Sequence, residues 1–343
     1  MRLPSEHFRG GLEDSNDFER KSFCTSRSAA ADAQQPGRVY RIAVAAGSSP
    51  VSQINETGPT FGPFFKELRR LGYIEGKNLV VLRFSAAGEL NFAELARKVV
   101  RAKPDVIAVG LLNRLISQIA KEAYPIPVVA AIPSVAAGPV HNIARPEGNI
   151  TGVALDAGLE MQGKQLDFLR RAVPLISRVA YLSNRNDWEG AWGHAILEAG
   201  KASGISIIGI PLERSAGDYE YRKAFETMAQ HSAEGLVYNG LPPNFANRAL
   251  ITELASKYRL PSIGWALDVV EEGRGLLSYA PDYSVTMVQW ADMIDKVFKG
   301  AKVADIPVTQ PTKFILAINL KTAKSLGLHI PPALIVQADK VIE

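Results

Sequence analysis

Cysteine is almost absent from this sequence of 343 residues, and its one cysteine, Cys24, lies close to the amino terminus. A disulfide framework needs pairs of cysteines, and the common structural zinc sites need several cysteine or histidine ligands. We therefore expect a fold that is held by an apolar core, without disulfide bonds or a cysteine-based metal site.

Histidine is also scarce, since the chain has five histidines and no two of them are spaced as His-x-x-x-His. The sequence has no Gly-x-Ser-x-Gly motif of a nucleophilic serine and no Gly-x-Gly-x-x-Gly dinucleotide motif. Gly72–Asn78 hints at a phosphate loop, but three residues separate its glycines where that loop has four. We therefore expect no catalytic residue, no metal and no cofactor.

The sequence also lacks a long apolar run and a block of like charge. Its longest stretch without a charged residue, Ala123–Ala144, contains four prolines, so it is interpreted as a buried strand that leads into a loop. A net charge of +4 over this length does not indicate nucleic-acid binding, which needs clustered basic residues. The apolar share of 47% and the charged share of 22% are typical of a soluble protein, and the length suits two domains.

The first 38 residues differ from the rest of the chain, and we interpret them as a disordered or mis-started tail. Ala31-Asp32-Ala33 has the small-x-small form of a signal peptidase site, but Glu13–Arg27 is polar where a signal peptide has an apolar segment. We interpret the written start as different from the natural one, and we expect an exported, periplasmic protein.

Strand and helix patterns alternate from Val39 to Pro133, as in a parallel sheet that is covered on both faces. The pattern then occurs a second time, from Ser177 to Ala266. The predicted strands of the first half are Ile42–Ala46, Leu79–Phe84, Asp105–Gly110 and Pro127–Ile132, and those of the second half are Arg178–Ser183, Ile205–Ile210, Gly235–Asn239 and Pro261–Trp265.

Three short segments match between the halves at offsets of about 130 positions. One pair is Pro104–Ile107 with Glu234–Val237, and another is Tyr124–Val128 with Tyr258–Ser262. A nearly constant offset predicts two α/β lobes of the same build, each with a Rossmann-like parallel sheet.

Ligands of open parallel sheets bind beyond the carboxyl ends of the strands. Two facing lobes therefore place their strand-end loops on a shared cleft, where short polar side chains and an aromatic wall bind a small molecule. His141 follows one of these loops and is a further, weaker candidate. The predicted ligand-binding residues are Ser48, Ser49, Leu111, Asn113, Pro133 and Ser134 in the first lobe, Asp156 after it, and Asn184, Asp187, Asn239, Trp265 and Tyr279 in the second.

The carboxyl-terminal part resembles a known family. Lys299–Phe314 and Ile318–Pro332 are similar to two long motifs of the ABC transporter substrate-binding proteins related to tryptophan-binding lipoproteins. Ala144–Val153 resembles the family's Ala-Arg-Pro-Gly-Gly-Asn-x-Thr-Gly segment, and the likeness extends from about Val39 to Glu343.

The resemblance implies a type I periplasmic binding protein fold, in which a three-strand hinge joins the lobes. Lobe 1 then comprises residues 39–150 and 282–306, and lobe 2 comprises residues 151–278 and 310–343. The family is associated with amino-acid uptake. Here Ser134 stands where the family usually has an aspartate, so Asp156 or Asp187 is the expected partner of a solute's ammonium group.

The leading hypothesis is the solute-binding component of an ABC importer, a monomer that binds an amino acid or a related aromatic compound and passes it to a membrane permease. We expect the protein not to bind nucleic acid. A ligand-sensing domain of a regulatory system on the same fold is an alternative, and a doubly wound enzyme is a third, because fold alone does not determine function.

Overall fold

The structure, a computed structural model, describes residues 37–343 except residues 89, 90, 136, 137, 141, 157, 214, 215 and 242. The predictions for Cys24, for the rest of the tail up to residue 36 and for His141 concern residues outside this range.

The first lobe contains a five-stranded, wholly parallel sheet. Its central strands are continuous apolar segments that are buried on both faces, as expected of a parallel sheet with helices on both sides. The strands have the order β2-β1-β3-β4-β5. They are β1 (Tyr40–Ala46), β2 (Leu79–Ser85), β3 (Val106–Gly110), β4 (Val128–Ile132) and β5 (Ile150–Ala154), and the helices between them are α1 (Gly62–Arg70), α2 (Phe92–Arg101) and α3 (Asn113–Ala123).

The second lobe repeats this arrangement. Its parallel strands have the order β7-β6-β8-β9-β10, which is the order of the first sheet, so the predicted duplication is confirmed. The strands are β6 (Arg178–Asn184), β7 (Ser206–Leu212), β8 (Gly235–Tyr238), β9 (Ser262–Gly264) and β10 (Leu277–Pro281), and the helices are α4 (Glu160–Ala172), α5 (Arg185–Glu189), α6 (Ala191–Ser203), α7 (Asp218–Gln230), α8 (Arg248–Lys257) and α9 (Leu267–Glu271).

After β10 the chain returns to the first lobe and then to the second. Helix α10 (Tyr283–Phe298) packs against α1 and the first sheet. Strand β11 (Phe314–Asn319) then pairs antiparallel with β10, and β12 (Lys340–Ile342) pairs parallel with β11. Two short helices, α11 (Leu320–Leu326) and α12 (Pro332–Ile335), lie between these last strands. The predicted α/β architecture of two sheet-centred lobes is confirmed.

The structure differs from one expected boundary. Lobe 1 is expected to end at residue 150, but β5 pairs with β4 and belongs to the first sheet. The segment after β6 forms two helices, α5 and α6, because the backbone leaves the helical conformation at Gly190. Asn184 caps α5, since its side chain accepts a hydrogen bond from the Asp187 N–H at 2.9 Å.

Trp290 anchors the return of the chain to the first lobe. Its ring is fully buried against Phe64, with ring centroids 4.5 Å apart, and its Nε1–H donates to the carbonyl oxygen of Val129 at 3.0 Å. An indole ring with its N–H satisfied is a strong packing element, so α10 is tied to β4. Trp290 is therefore a core residue of the first lobe.

The motif Asn149–Gly152 has a structural role at the first crossing between the lobes. The Asn149 side chain donates to the carbonyl oxygen of Ile126 at 2.8 Å, and the Thr151 hydroxyl donates to that of Ile306 at 2.5 Å. The N–H of Thr309 donates to the Gly152 carbonyl oxygen at 3.1 Å. The Asn149 contact lies within the first lobe, whereas the contacts of Thr151 and Gly152 join β5 to the third crossing segment.

Candidate functional site

The chain crosses between the lobes at the carboxyl ends of the two sheets. The chain leaves the first sheet after Ala154 at the carboxyl end of β5, and it leaves the second sheet after Pro281 at the carboxyl end of β10. It returns through β11, whose first residue pairs with Pro281. Because all three crossings are at carboxyl ends, the strand-end loops of both lobes face the same space.

The first lobe brings Asn113, Ser134 and Asp156 together at this edge. Asn113 is the first residue of α3, and its Nδ2 donates to the Ser134 carbonyl oxygen at 3.0 Å. The N–H of Val135 donates to the Asp156 carboxylate at 3.2 Å. Helix α3 has no side-chain cap at its amino end, so its first N–H groups remain available to an acceptor.

Asp156 is the most unusual side chain of the site. It is 1% exposed, and no lysine or arginine of the described residues forms an ion pair with it. Burial raises the pKa of Asp156 to about 6, against the lowering effect of the Ser134 hydroxyl and the Val135 N–H. No well-aligned hydrogen bond joins Ser134 Oγ to this carboxylate. A buried carboxylate without a cation partner indicates a place for a positively charged ligand group.

The second lobe holds Asp187 in a network of buried amides. Asn184 Nδ2 and Asn239 Nδ2 both donate to Asp187 Oδ2, the latter at 3.2 Å. Asn244 donates to Asn239 Oδ1 at 3.1 Å and accepts from the Tyr221 hydroxyl at 2.8 Å. Because Asn239 Oδ1 is an acceptor here, its amide group has one orientation and points its N–H at Asp187. Sequence reasoning missed Asn244 and Tyr221, which lie outside the strand-end loops.

An aromatic cluster covers the carboxyl end of the second sheet. Trp265 and Trp192 lie edge to face, with ring centroids 5.7 Å apart. Trp265 is 1% exposed, so its ring is not an open wall in this structure as the sequence suggested. The cluster consists of Met161, Trp192, Leu241, Trp265 and Ala280, and it is bordered by Leu159, Tyr279 and Phe314.

Polar groups in and beside this cluster lack partners. The Nε1 atoms of Trp192 and Trp265 are buried without a hydrogen bond among the described residues, and so are both polar atoms of the Gln162 side chain. Each such group costs about 1–3 kcal/mol when it is left unpaired. Unpaired donors beside apolar rings suit a solute that has both an aromatic body and polar atoms.

The remaining predicted residues lie around the same edge. Ser48 is exposed and Ser49 is buried after β1, where the Ser49 carbonyl oxygen accepts from Ser85 Oγ at 2.8 Å. Pro133 is half-buried. Tyr279 stacks on Phe314 with ring centroids 5.5 Å apart. Contact of these residues with a solute stays a prediction.

Leu111 has a strained backbone at the cleft edge. Its φ of 71° lies in the left-handed region, which disfavours a bulky side chain. Its N–H donates to the Ala131 carbonyl oxygen at 3.2 Å, and its side chain packs against the core between the first sheet and α10. The turn therefore directs the chain into α3 while the Leu111 side chain remains packed against the core. Backbone strain of this kind is common at binding sites.

Tyr283, which sequence reasoning also missed, lies just after the second crossing between the lobes. It is the first residue of α10 and is half-buried against the apolar cluster that contains Leu155. Burial raises the pKa of Tyr283, and the nearby carboxylates of Asp156 and Asp268 raise it further. No local pattern in the sequence sets this tyrosine apart, because its position depends on how two crossing segments meet.

The acidic group Asp268, Glu271 and Glu272 is engaged by basic residues. Asp268 pairs with Arg248 at 2.7 Å, Glu271 with Lys340 and Glu272 with Arg274. Each carboxylate of this group therefore has a basic partner at the protein surface.

A cavity of about 540 Å³ lies away from the cleft, at the amino end of β10. It is lined by α8, the turn before β10 and the start of α11, and it includes none of the predicted site residues.

In the described part of the chain, no helix has both the length and the apolar character to cross a membrane.

Comparison with known proteins agrees with this architecture. The profile of the family described as ABC transporter substrate binding protein matches residues 59–342. A tyrosine-binding protein from Clostridioides difficile (strain R20291) is 21% identical over 275 residues, which cover 78% of this chain and 76% of that protein.

Solved structures share the fold. The ABC domain in complex with L-Trp from Streptococcus pneumonia has a TM-score of 0.77 and 21% identity, over 89% of this chain and 100% of that one. A conserved domain protein from Vibrio cholerae has a TM-score of 0.76 and 20% identity over the same shares. With a family profile that matches most of its length and this two-lobe fold, the chain belongs to the ABC transporter substrate-binding proteins.

Proposed function

We propose that this protein binds an amino acid, with an aromatic one as the best fit, in the cleft and delivers it unchanged to the permease of an ABC importer. It acts as a monomer outside the cytoplasmic membrane. The observation that carries the proposal is Asp156, a buried carboxylate with no cation partner among the described residues. A solute's ammonium group supplies the missing charge.

The rest of the site suits the other parts of such a solute. A carboxylate is stabilised by the uncapped amino end of α3, beside Asn113 and Ser134. An aromatic body packs on the partly buried border of the Trp192–Trp265 cluster, beside Tyr279 and Phe314 of the second lobe. Because these groups belong to different lobes, a solute that contacts both favours closure, which creates the surface that a permease recognises. The names of the tyrosine-binding and L-Trp-bound relatives support this solute class.

The experiment is titration calorimetry of the purified protein with the common amino acids, together with X-ray scattering of the free and saturated protein. We expect micromolar or tighter binding of at least one aromatic amino acid, with a smaller radius of gyration in the saturated state. Absence of binding by every amino acid would contradict the proposal, and chemical conversion of the solute would indicate an enzyme.

We expect the affinity for the amino acid to fall about tenfold between pH 7.5 and pH 5. The ammonium group binds the ionised form of Asp156, whose pKa is about 6 in the free protein, so protons compete with the solute below that pH. The solute's own α-amino and α-carboxyl groups keep their charges over this range. Calorimetry at several pH values tests the trend, and affinity that rises toward pH 5 would contradict it.

A further inference from the structure

A chain of buried hydrogen bonds ends on Asp187 at the carboxyl edge of the second sheet. Asp187 lies in α5, directly after β6, and Asn239 follows the neighbouring strand β8. The Tyr221 hydroxyl donates to Asn244 at 2.8 Å, and Asn244 donates to Asn239 at 3.1 Å. Asn239 in turn donates to Asp187 Oδ2 at 3.2 Å. The three donors are almost fully buried, whereas Asp187 is half-buried, so the chain holds a carboxylate where a solute can reach it.

The direction of these hydrogen bonds makes Asp187 an oriented acceptor. Each amide of the chain accepts through its oxygen and donates through its nitrogen, so all the bonds are polarised in the same direction. Asn184 also donates to Asp187 Oδ2. The amide donors are neutral, so they fix the carboxylate in place without cancelling its charge.

The loop after β8 joins this network to the aromatic cluster. Gly240 follows Asn239, and a Cβ at Gly240 would lie 2.4 Å from Cε3 of the Trp265 ring. The next residue, Leu241, packs in the cluster with Trp265. Because consecutive residues of one loop bind Asp187 and pack on Trp265, the carboxylate borders the aromatic cluster. Adjoining apolar and anionic surfaces suit an aromatic group that carries a hydrogen-bond donor.

We infer that Asp187 accepts a hydrogen bond from the solute's side chain, so that the site selects an aromatic amino acid whose ring carries an O–H or N–H. This inference rests on the proposed function, in which Asp156 binds the ammonium group. Such an amino acid has one ammonium group, and Asp156 and Asp187 follow strands of different sheets. Asp187 therefore contacts another part of the solute. A phenol hydroxyl or an indole N–H is the donor that an aromatic ring offers.

The inference predicts that binding weakens when the ring loses its donor but keeps its shape. A site that positions an acceptor for an O–H or N–H discriminates against an analogue without it, because the acceptor is then desolvated without that hydrogen bond. 4-Fluoro-L-phenylalanine has the outline of tyrosine without the hydroxyl hydrogen, and 3-(3-benzothienyl)-L-alanine has the outline of tryptophan without the N–H. Wild-type protein is expected to bind its preferred amino acid, tyrosine or tryptophan, at least about tenfold more tightly than the matching analogue.

The test compares wild type with Asp187→Asn, and uses Glu189→Gln as the matched control, because Glu189 is an exposed carboxylate of the same helix. Asparagine keeps an oxygen for Asn184 and Asn239, which both donate to Oδ2, but it removes the charge that strengthens the solute's hydrogen bond. Titration calorimetry measures each protein with both amino acids and both analogues. We expect Asp187→Asn to lose about tenfold in affinity for the preferred amino acid and less than twofold for its analogue. Glu189→Gln is expected to match wild type.

The remaining outcomes separate this inference from the proposed function. The inference is overturned, while the proposed function stands, if wild type binds the analogue as tightly as the amino acid. An equal loss for both ligands in Asp187→Asn, or unchanged affinity for both, overturns it as well. Thermal unfolding verifies each variant, and the wild-type comparison decides the matter if Asp187→Asn does not fold. Failure of wild type to bind any of these ligands overturns the proposed function and this inference with it.

Discussion

Asp156→Asn is expected to weaken amino-acid binding by about 100-fold or more while it stabilises the free protein. Asparagine keeps an oxygen that accepts from the Val135 N–H, but it removes the charge that pairs with the ammonium group. Loss of one partner of a buried ion pair costs about 3–5 kcal/mol. Calorimetry with L-tryptophan and L-tyrosine measures the loss of affinity.

The gain in stability follows from the raised pKa of Asp156. The folded state binds its proton more tightly than the unfolded state, so stability falls as pH rises from about 4 through about 6. Asparagine removes this penalty, which amounts to about 3 kcal/mol at pH 7 and little at pH 4. Denaturant unfolding at the two pH values checks the difference.

Asp167→Asn is the matched control, because Asp167 is an exposed carboxylate on α4 that pairs with Arg170 at 3.2 Å. An exposed pair contributes about 1 kcal/mol or less, so this variant is expected to bind like wild type. Weak binding by both variants, or a less stable Asp156→Asn at pH 7, would contradict this role of Asp156.

Gly152→Ala is expected to destabilise the protein by about 3 kcal/mol or more. A Cβ at Gly152 would lie 1.8 Å from the carbonyl oxygen of Ala130, its partner in β4. Backbone atoms cannot give way as a flexible side chain does, so β4 and β5 would have to separate at the hinge. Denaturant unfolding measures the cost.

Gly148→Ala is the control for the effect of a methyl group at a neighbouring glycine. Gly148 has a φ of 75° and nothing within 4 Å of its added Cβ, so only backbone strain of about 1 kcal/mol is expected. Equal stability losses in the two variants would show that the close approach of β4 and β5 does not matter.

Much of the fold could be predicted from local patterns. Helix α3 can be predicted from about Asn113 to Ala123, because its apolar residues recur at helical spacing and a turn precedes it. The repeat predicted the common strand order of the two sheets, because similar segments at a constant offset indicate similar units. The carboxyl-end rule then placed Asn113, Ser134 and Asp156 at one edge.

The predictions failed where long-range contacts decide the outcome. Ile150–Ala154 belongs to the first sheet because it pairs with β4, and nothing within those five residues specifies that partner. Trp265 is buried because Trp192 of α6 covers it, which strand and helix periodicity does not reveal. Tyr283 and Asp156 are 127 positions apart in the sequence, and only the meeting of two crossing segments brings the Asp156 carboxylate within range to raise the pKa of Tyr283, after the larger effect of burial.

The site combines one uncompensated charge with ordered polar neighbours and an apolar surface. In the proposed function, Asp156 determines the charge of the group that binds. In the second lobe, Asn184 and Asn239 donate to Asp187 and so order the side chains of that strand-end loop.

A crystal structure of the protein with a bound aromatic amino acid tests the central claim most directly. The account predicts that the solute lies between the two sheets, with its amino nitrogen within hydrogen-bonding distance of the Asp156 carboxylate. A solute that binds in the cavity at the amino end of β10, or that lies in the cleft with its amino group away from Asp156, would contradict it.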